Sequence, residues 1–179
     1  MKGVIFNIVE EVVVGLYDED TWDDVIDAAG VSGTYSSPGN YADEELVAIV
    51  VAAAELLEIP LPALLRVVGT KAFEGLARRY PHLVGEHTDT ISFIQHVEDY
   101  IHPEVKKLYP DSILPAFEFE ELGEGAMRMT YRSPRGLHDL AEGLIEGAAE
   151  RFGQTIEIAR PGLDVGPDAM VFDLSIAEA

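Results

Sequence analysis

The chain has 179 residues, and 47% of them are hydrophobic, which suits one domain with a sizeable core and excludes a disordered chain. Its 33 acidic and 12 basic residues give a formal net charge of -21. Such a charge disfavours binding to nucleic acid or to an anionic membrane surface. It favours small-molecule ligands or proteins with basic patches, although a simple gain in solubility would also explain it.

The chain has no cysteine, which excludes disulfides, thiolate-ligated zinc, iron–sulfur clusters and haem attached through Cys. The apolar run near the amino terminus is interrupted at Asn7, Glu10 and Glu11, too early for a signal peptide or a spanning helix. We therefore expect a cytoplasmic protein.

Apolar residues recur at helical spacing up to about residue 110. Asn40 or Asp43 is a candidate amino-terminal cap for a helix that ends near Glu58. Pro103 disfavours helical geometry at the residue before it, so a helix should end or kink at His102 and a new one begin. The pattern predicts helices over residues 3–17, 20–29, 43–58, 60–80 and 88–102, and another after Pro103.

The pattern changes near Pro115, where alternation with a period of two begins. The segment from Gly123 to Gly125 is typical of a hairpin turn between two strands. One more helix and a second strand pair follow. The expected elements are strands around 117–120, 127–131, 154–160 and 169–177, with a helix over 136–152. The sequence thus predicts an α+β fold, with a helical amino-terminal lobe and a carboxy-terminal lobe built on a four-stranded antiparallel sheet plus helices.

His102 is the strongest candidate metal ligand among the five histidines. It lies in an apolar stretch at a proline break, where its imidazole can turn away from its own helix. His96 is six positions earlier and does not share its helical face. His138 is expected at the surface. A structural histidine that ligates nothing is the alternative for His102.

Tyr131, Ser133 and Arg135 alternate in a segment that we expect to be extended, so they share one face with Met127 and Met129. A buried phenol, hydroxyl and guanidinium need hydrogen-bond partners. Two carboxylates would satisfy all three, with forked bonds from the guanidinium. Local carbonyls and a glutamate are the alternative partners. A metal ligand together with an anion clamp is what a protein needs to hold a haem, which carries iron at its centre and two propionates at its edge.

Several further motifs accompany these residues and carry a family resemblance over essentially the whole chain. They are Met1-Lys2-Gly3, His102-Pro103 with Val105, Leu108-Tyr109-Pro110, Pro115, Tyr131-x-Ser133-x-Arg135 and Gly143-Leu144-Ile145-Glu146-Gly147. The chain resembles the haem nitric oxide/oxygen binding (H-NOX) family, which includes the sensor domain of soluble guanylate cyclase and bacterial stand-alone relatives.

The resemblance implies that His102 is the iron ligand of a non-covalent haem b, which lies between the two lobes. It implies that Tyr131, Ser133 and Arg135 bind the propionates, and that Ile5 and Pro115 press on the macrocycle. It further implies one domain over residues 1–179, with a distal helical subdomain in about 1–60 and a proximal, haem-clamping subdomain with the sheet in 61–179.

The resemblance also bears on which gas would bind. In O2-binding members of the family a distal Tyr donates a hydrogen bond to the ligand, and the matching position here is Leu140. The other distal positions also lack a donor, although the same residues would fit a plain hydrophobic core. We expect NO and CO to bind, and O2 to bind poorly. The expected distal residues are Val9, Ala72, Phe73, Leu76, Leu140 and Leu144.

The resemblance implies signalling by release of His102 from iron and a helix shift, passed to a separate protein such as a histidine kinase or a cyclic-di-GMP enzyme. The chain shows no P-loop, kinase signature or nucleophile with a paired base, so we do not expect an enzyme. Three other interpretations stay open: a module that binds another apolar acid through Arg135 and Tyr131, an acid–base enzyme using His102, and a cofactor-free regulatory protein.

Overall fold

The computed structural model describes residues 1–177. Eight α-helices, one π-helical turn and four strands follow one another in that range. They are α1 (Gly3–Leu16), α2 (Glu19–Ala29), α3 (Asp43–Leu56), α4 (Leu61–Arg79), α5 (Pro81–Val84), α6 (Thr90–His96), the π turn (Val97–Ile101), α7 (His102–Leu108), β1 (Ala116–Gly123), β2 (Ala126–Arg132), α8 (His138–Phe152), β3 (Ile156–Ala159) and β4 (Ala169–Ile176).

Local sequence signals explain several of the helix ends. The Asp18 carboxylate accepts a hydrogen bond from the backbone N–H of Thr21 at 2.8 Å and caps α2, which closes at Gly30 with φ 66°. The capping prediction for α3 is wrong, because Ala42 holds the cap position and supplies no side-chain bond. Asp43 is instead the first helical residue, and its carboxylate is engaged elsewhere in the fold.

Part of the prediction from Pro103 is confirmed, because a new helix, α7, begins at His102, but the chain stays helical through the junction. Residues Val97–Ile101 form a π turn, and the backbone N–H of His102 reaches back to the Val97 carbonyl. His102 itself is helical, with φ -59° and ψ -45°. Proline lacks an N–H and its ring collides with the carbonyl four residues earlier in an α-helix. The wider π turn removes that conflict, so the chain passes into α7 without a break.

The four strands form one antiparallel sheet, as the sequence predicts. Their order in the sheet is β1-β2-β4-β3. Tyr131 in β2 pairs with Phe117 in β1 and with Met170 in β4. One face of the sheet is buried against Ile94 of α6 and Ile145 of α8. The fully buried members of that face include Met129, Phe172 and Leu174. The α+β fold is confirmed.

A second hydrophobic core joins α1, α2, α3 and the first half of α4. Helix α4 then packs along α8, so α4 contacts the amino-terminal core on one side and the sheet-bearing part on the other. Glycines at the crossing bring the two backbones close, since a β-carbon on Gly69 would lie 2.9 Å from the Leu144 nitrogen.

Within residues 1–177 no single helix is long and apolar enough to span a membrane. Helices α3 and α4 meet that criterion only when taken together, and they are bent by 114° relative to each other.

Candidate functional site

His102 is held in one orientation by two neighbours. Its Nδ1 atom lies 2.9 Å from a carboxylate oxygen of Glu98, one helical turn earlier. Its ring packs against the Phe117 ring with 5.1 Å between centroids. The side chain is 16% exposed. With Nδ1 in a hydrogen bond, Nε2 is the nitrogen through which His102 could ligate a metal.

Phe117 contacts both His102 and Tyr131. Tyr131 is the first residue of the anion clamp, which consists of Tyr131, Ser133 and Arg135. The Phe117 ring stacks on Tyr131, with 5.9 Å between centroids and 29° between planes. Tyr131 is 5% exposed. Burial raises the pKa of its phenol. A hydrogen bond with Ser133 and the charge of Arg135 lower that pKa, but they offset the effect of burial only in part. The phenol therefore stays protonated at neutral pH and can donate a hydrogen bond.

The extended geometry expected for residues 131–135 ends at Arg132, so that part of the prediction is wrong. The chain then turns, with the Gly136 N–H donating to the Ser133 carbonyl at 3.3 Å. Inside this turn the Arg135 backbone N–H donates to the Ser133 hydroxyl at 3.3 Å. Ser133 is buried, with 2% of its surface exposed. The turn, rather than a strand face, brings the three side chains together.

Arg135 ties the turn to distant segments. Its Nε donates to the Asp43 carboxylate at 2.6 Å, and its Nη1 donates to the Ile113 carbonyl at 2.6 Å. Asp43 also pairs with the amino group of Met1 at 2.7 Å. Burial alone would raise the pKa of Asp43, but these cationic partners outweigh it and lower the pKa. Of the guanidinium nitrogens, Nη2 makes no hydrogen bond to residues 1–177.

A small cavity of about 50 Å³ lies among α1, α3, α4 and α8. Every residue that lines it is apolar. It includes Ile5 and five of the six expected distal residues. The lining residues are Ile5, Ile8, Val9, Leu46, Val50, Leu65, Val68, Ala72, Leu76, Leu137, Leu140 and Leu144.

Phe73, the sixth expected distal residue, lies away from this cavity. It belongs to a cluster with Phe93 and Ala148, and its ring meets the Phe93 ring edge-on at 5.6 Å. In an α-helix, residues 72 and 73 point in directions about 100° apart, so Ala72 faces the cavity and its neighbour faces α6. Pro115 is half-buried directly before β1, two residues after the carbonyl that Arg135 binds.

His138 is not the surface residue that the sequence suggests. Its ring meets the Tyr131 ring edge-on at 5.6 Å, and its Nδ1 atom is buried without a hydrogen-bond partner among the described residues. Burial lowers the pKa of His138, and the positive charge of Arg160 lowers it further. The imidazole is therefore held neutral beside the clamp.

This set of residues fits a haem. The free Nε2 of His102 is a suitable axial ligand, since haem iron in many proteins takes one imidazole. The protonated phenol of Tyr131, the Ser133 hydroxyl and the free Nη2 of Arg135 are donors for carboxylates. A continuous path of contacts runs from His102 through Phe117 and Tyr131 to His138, which begins the helix carrying Leu140 of the cavity wall.

Sequence reasoning missed Glu98, Phe117 and Asp43. Glu98 could have been found, because residues four apart on a helix are neighbours. Phe117 was placed on a strand, but its pairing with Tyr131 depends on the register of the sheet. The pairing of Asp43 with Arg135 joins residues 92 positions apart, and no local feature of the sequence predicts it.

The chain is similar to a known family and to several solved structures. A family described as Haem-NO-binding matches residues 2–160. A crystal structure of an H-NOX protein from S. oneidensis in the Fe(II)NO ligation state is 32% identical, with a TM-score of 0.90, over 99% of this chain and 100% of that one. An NMR structure of the H-NOX domain from Shewanella oneidensis in the Fe(II)CO state is 32% identical, with a TM-score of 0.88, over 100% of both chains.

A third structure, an unliganded Fe(II) H-NOX protein from K. algicida, is 27% identical with a TM-score of 0.89, and covers 100% of this chain and 98% of that one. Among curated proteins no significant match is found. Because the matched family spans most of the sequence and a relative of 32% identity shares the fold over nearly all of both chains, the chain belongs to the Haem-NO-binding (H-NOX) family of non-catalytic sensor domains.

Proposed function

We propose that this chain binds haem b and senses NO and CO, while binding O2 poorly. His102 would ligate the iron through Nε2, and Tyr131, Ser133 and Arg135 would hold the propionates. The observation that carries the proposal is that His102 and Tyr131 both pack against the Phe117 ring, with 5.1 and 5.9 Å between centroids, next to the turn that presents the other two donors.

The clamp supplies both charge and protonated donors. Arg135 is 14% exposed and keeps Nη2 available while Nε and Nη1 fix its plane. A guanidinium fixed in this way loses little conformational entropy when it binds a carboxylate. Tyr131 and Ser133 add neutral donors from buried positions. The chain has no cysteine, so attachment of the haem through Cys is excluded, and the proposed haem b is bound non-covalently.

The apolar cavity supports the choice of gas. Ferrous haem takes NO, CO or O2 as an axial ligand, and a distal hydrogen-bond donor favours O2 in particular. The twelve side chains around the cavity offer no N–H or O–H group. Relatives from S. oneidensis are known with NO and with CO. We infer that Ile5, Val9, Ala72, Leu76, Leu140 and Leu144 lie on the gas-binding side.

Signalling would begin at His102. Its release from iron would free the π turn and α7 to shift against the sheet, and a shift between two states needs only a few kcal/mol of differential binding. Leu108 at the end of α7 is exposed and available to a partner. We propose that the partner is a separate signalling protein, such as a histidine kinase or a cyclic-di-GMP enzyme, and that basic residues on it complement the charge of -21.

The test is the visible spectrum of the protein purified from haem-sufficient cells. We expect strong absorption near the violet edge of the spectrum, and its loss in His102→Gly with recovery when imidazole is supplied. His96→Gly is the matched control, since it removes an imidazole from the same helical segment, six residues earlier. It should keep the colour.

Colourless wild-type protein would overturn the proposal and favour a module for another apolar acid or a cofactor-free regulatory protein. An unchanged spectrum in His102→Gly would show that His102 does not ligate the iron. A stable complex with O2 in air would contradict the predicted gas selectivity.

A further inference from the structure

Glu98 has one structural partner among the described residues, and that partner is His102. The carboxylate oxygen Oε2 of Glu98 lies 2.9 Å from His102 Nδ1. No Lys or Arg within residues 1–177 forms an ion pair with this carboxylate, although most other paired acids in the protein bind arginine. Among the described residues, the Glu98 carboxylate therefore has its side-chain hydrogen bond with the His102 imidazole.

The π turn sets up this contact. Glu98 is the second residue of the turn, and His102 directly follows it. Residues four apart on a helix lie on the same side. Both side chains are partly buried, at 28% exposed for Glu98 and 16% for His102. Asp99, the next residue, forms no ion pair with His102.

A hydrogen bond from one imidazole nitrogen to a carboxylate changes the other nitrogen. It fixes the tautomer in which Nδ1 carries the proton and Nε2 the lone pair, and it makes Nε2 a stronger donor to a metal. Such partners of metal-bound histidines affect metal affinity by about 10- to 100-fold.

We propose that Glu98 is a positioning residue that orients His102 and strengthens its bond to iron, and so sets how readily NO releases His102. This inference rests on the proposed haem function. It adds a residue of this chain that controls the threshold of the sensor. The Phe117 ring completes the arrangement by packing against the imidazole and limiting its rotation.

The first experiment is resonance Raman spectroscopy of the ferrous protein without a gas ligand. The Fe–His stretching frequency should fall in Glu98→Gln and fall further in Glu98→Ala. Asp99→Asn is the matched control, since it also removes one negative charge, at the next position. It should leave the frequency unchanged. Loss of Fe–His coordination after addition of NO should be at least fivefold faster in Glu98→Ala than in the control.

The second experiment does not depend on the Glu98 variants. In His102→Gly, imidazole can donate an N–H to Glu98, whereas 1-methylimidazole cannot. We expect imidazole to bind the haem protein at least fivefold more tightly than 1-methylimidazole. In His102→Gly with Glu98→Ala the preference should largely disappear, because the acceptor is gone.

The outcomes separate the two proposals. Wild-type protein without haem would defeat the proposed function. Haem-loaded protein whose Fe–His frequency is the same in wild type, Glu98→Gln and Glu98→Ala would overturn the role of Glu98 alone. Equal affinity of His102→Gly for the two imidazoles would overturn it as well, whether or not the Glu98 variants retain haem.

Discussion

A β-carbon on Gly143 would lie 2.8 Å from the carbonyl carbon of Arg66, and closer still to its oxygen. Helices α4 and α8 therefore cross with almost no space between their backbones. We predict that Gly143→Ala lowers the free energy of unfolding by about 2–3 kcal/mol, because rigid backbone atoms must move apart. Gly15→Ala, at an exposed position of α1, is the control, since a β-carbon there would meet nothing within 4 Å. It should stabilise by up to about 1 kcal/mol. Urea denaturation measures both.

Glu142 carries the next prediction. Its side chain is 6% exposed and bridges Arg66 of α4 to Arg160, with 2.9 Å between Arg66 Nη1 and one carboxylate oxygen. We predict that Glu142→Ala costs about 1–2 kcal/mol, because the buried carboxylate's hydrogen bonds to two arginines are lost while each arginine keeps a second acidic partner. Glu146→Ala removes a more exposed partner of Arg66 and should cost less than about 1 kcal/mol. Equal losses in the two variants, measured by thermal or urea unfolding, would contradict this.

His138 predicts a pH dependence of stability. Burial and the charge of Arg160 lower its pKa in the folded state, so the folded protein binds fewer protons than the unfolded chain just below the ordinary histidine pKa of 6.5. Stability should therefore fall as the pH drops below about 6.5. His138→Gln should flatten that fall. The measurement is the urea midpoint at pH 7.5 and at pH 5.5 for both proteins, and an equal loss in both would refute the role of His138.

Leu140 tests the gas selectivity. It lines the apolar cavity, and Leu140→Tyr would place a phenol there. We predict that this variant binds O2 in air far more stably than wild type, because the phenol can donate a hydrogen bond to the bound gas. Leu140→Phe is the matched control, with the same ring and no donor. O2 titration followed by absorption spectroscopy separates them, and similar O2 binding by both variants would show that space, rather than the donor, matters.

The helices and strands follow from periodicity and capping residues. Asp18 and Gly30 delimit α2 as their types suggest, and the alternation around Phe117 and Met129 gives the correct sheet. These signals lie within short stretches of the chain, so a single sequence is enough to detect them. The π turn was not predictable in this way, because a proline at position 103 is compatible with an end, a kink or a widened turn.

The proposed site combines local and distant contributions. His102 and the alternation of Tyr131 with Ser133 are visible in the sequence, and a burial pattern shared with Met129 favoured an inner face for Tyr131. The turn at Ser133 is closed by bonds between near neighbours, but the bond from Arg135 to Asp43 joins residues 92 positions apart and arises only in the folded chain. The choice between Ala72 and Phe73 depends on the rotation of α4 against α8 and α6, which periodicity fixes only to within a residue.

A π turn amounts to a single-residue insertion in an α-helix, and this has a consequence for Val97–Ile101. Everything after it is offset in rotational phase from Phe93 and Ile94 by about 100°, the angle that one residue spans. Deleting one residue there would restore the regular helix and swing the imidazole of His102 off Phe117. The reach of that imidazole towards the sheet is thus encoded by residue count as well as by residue type.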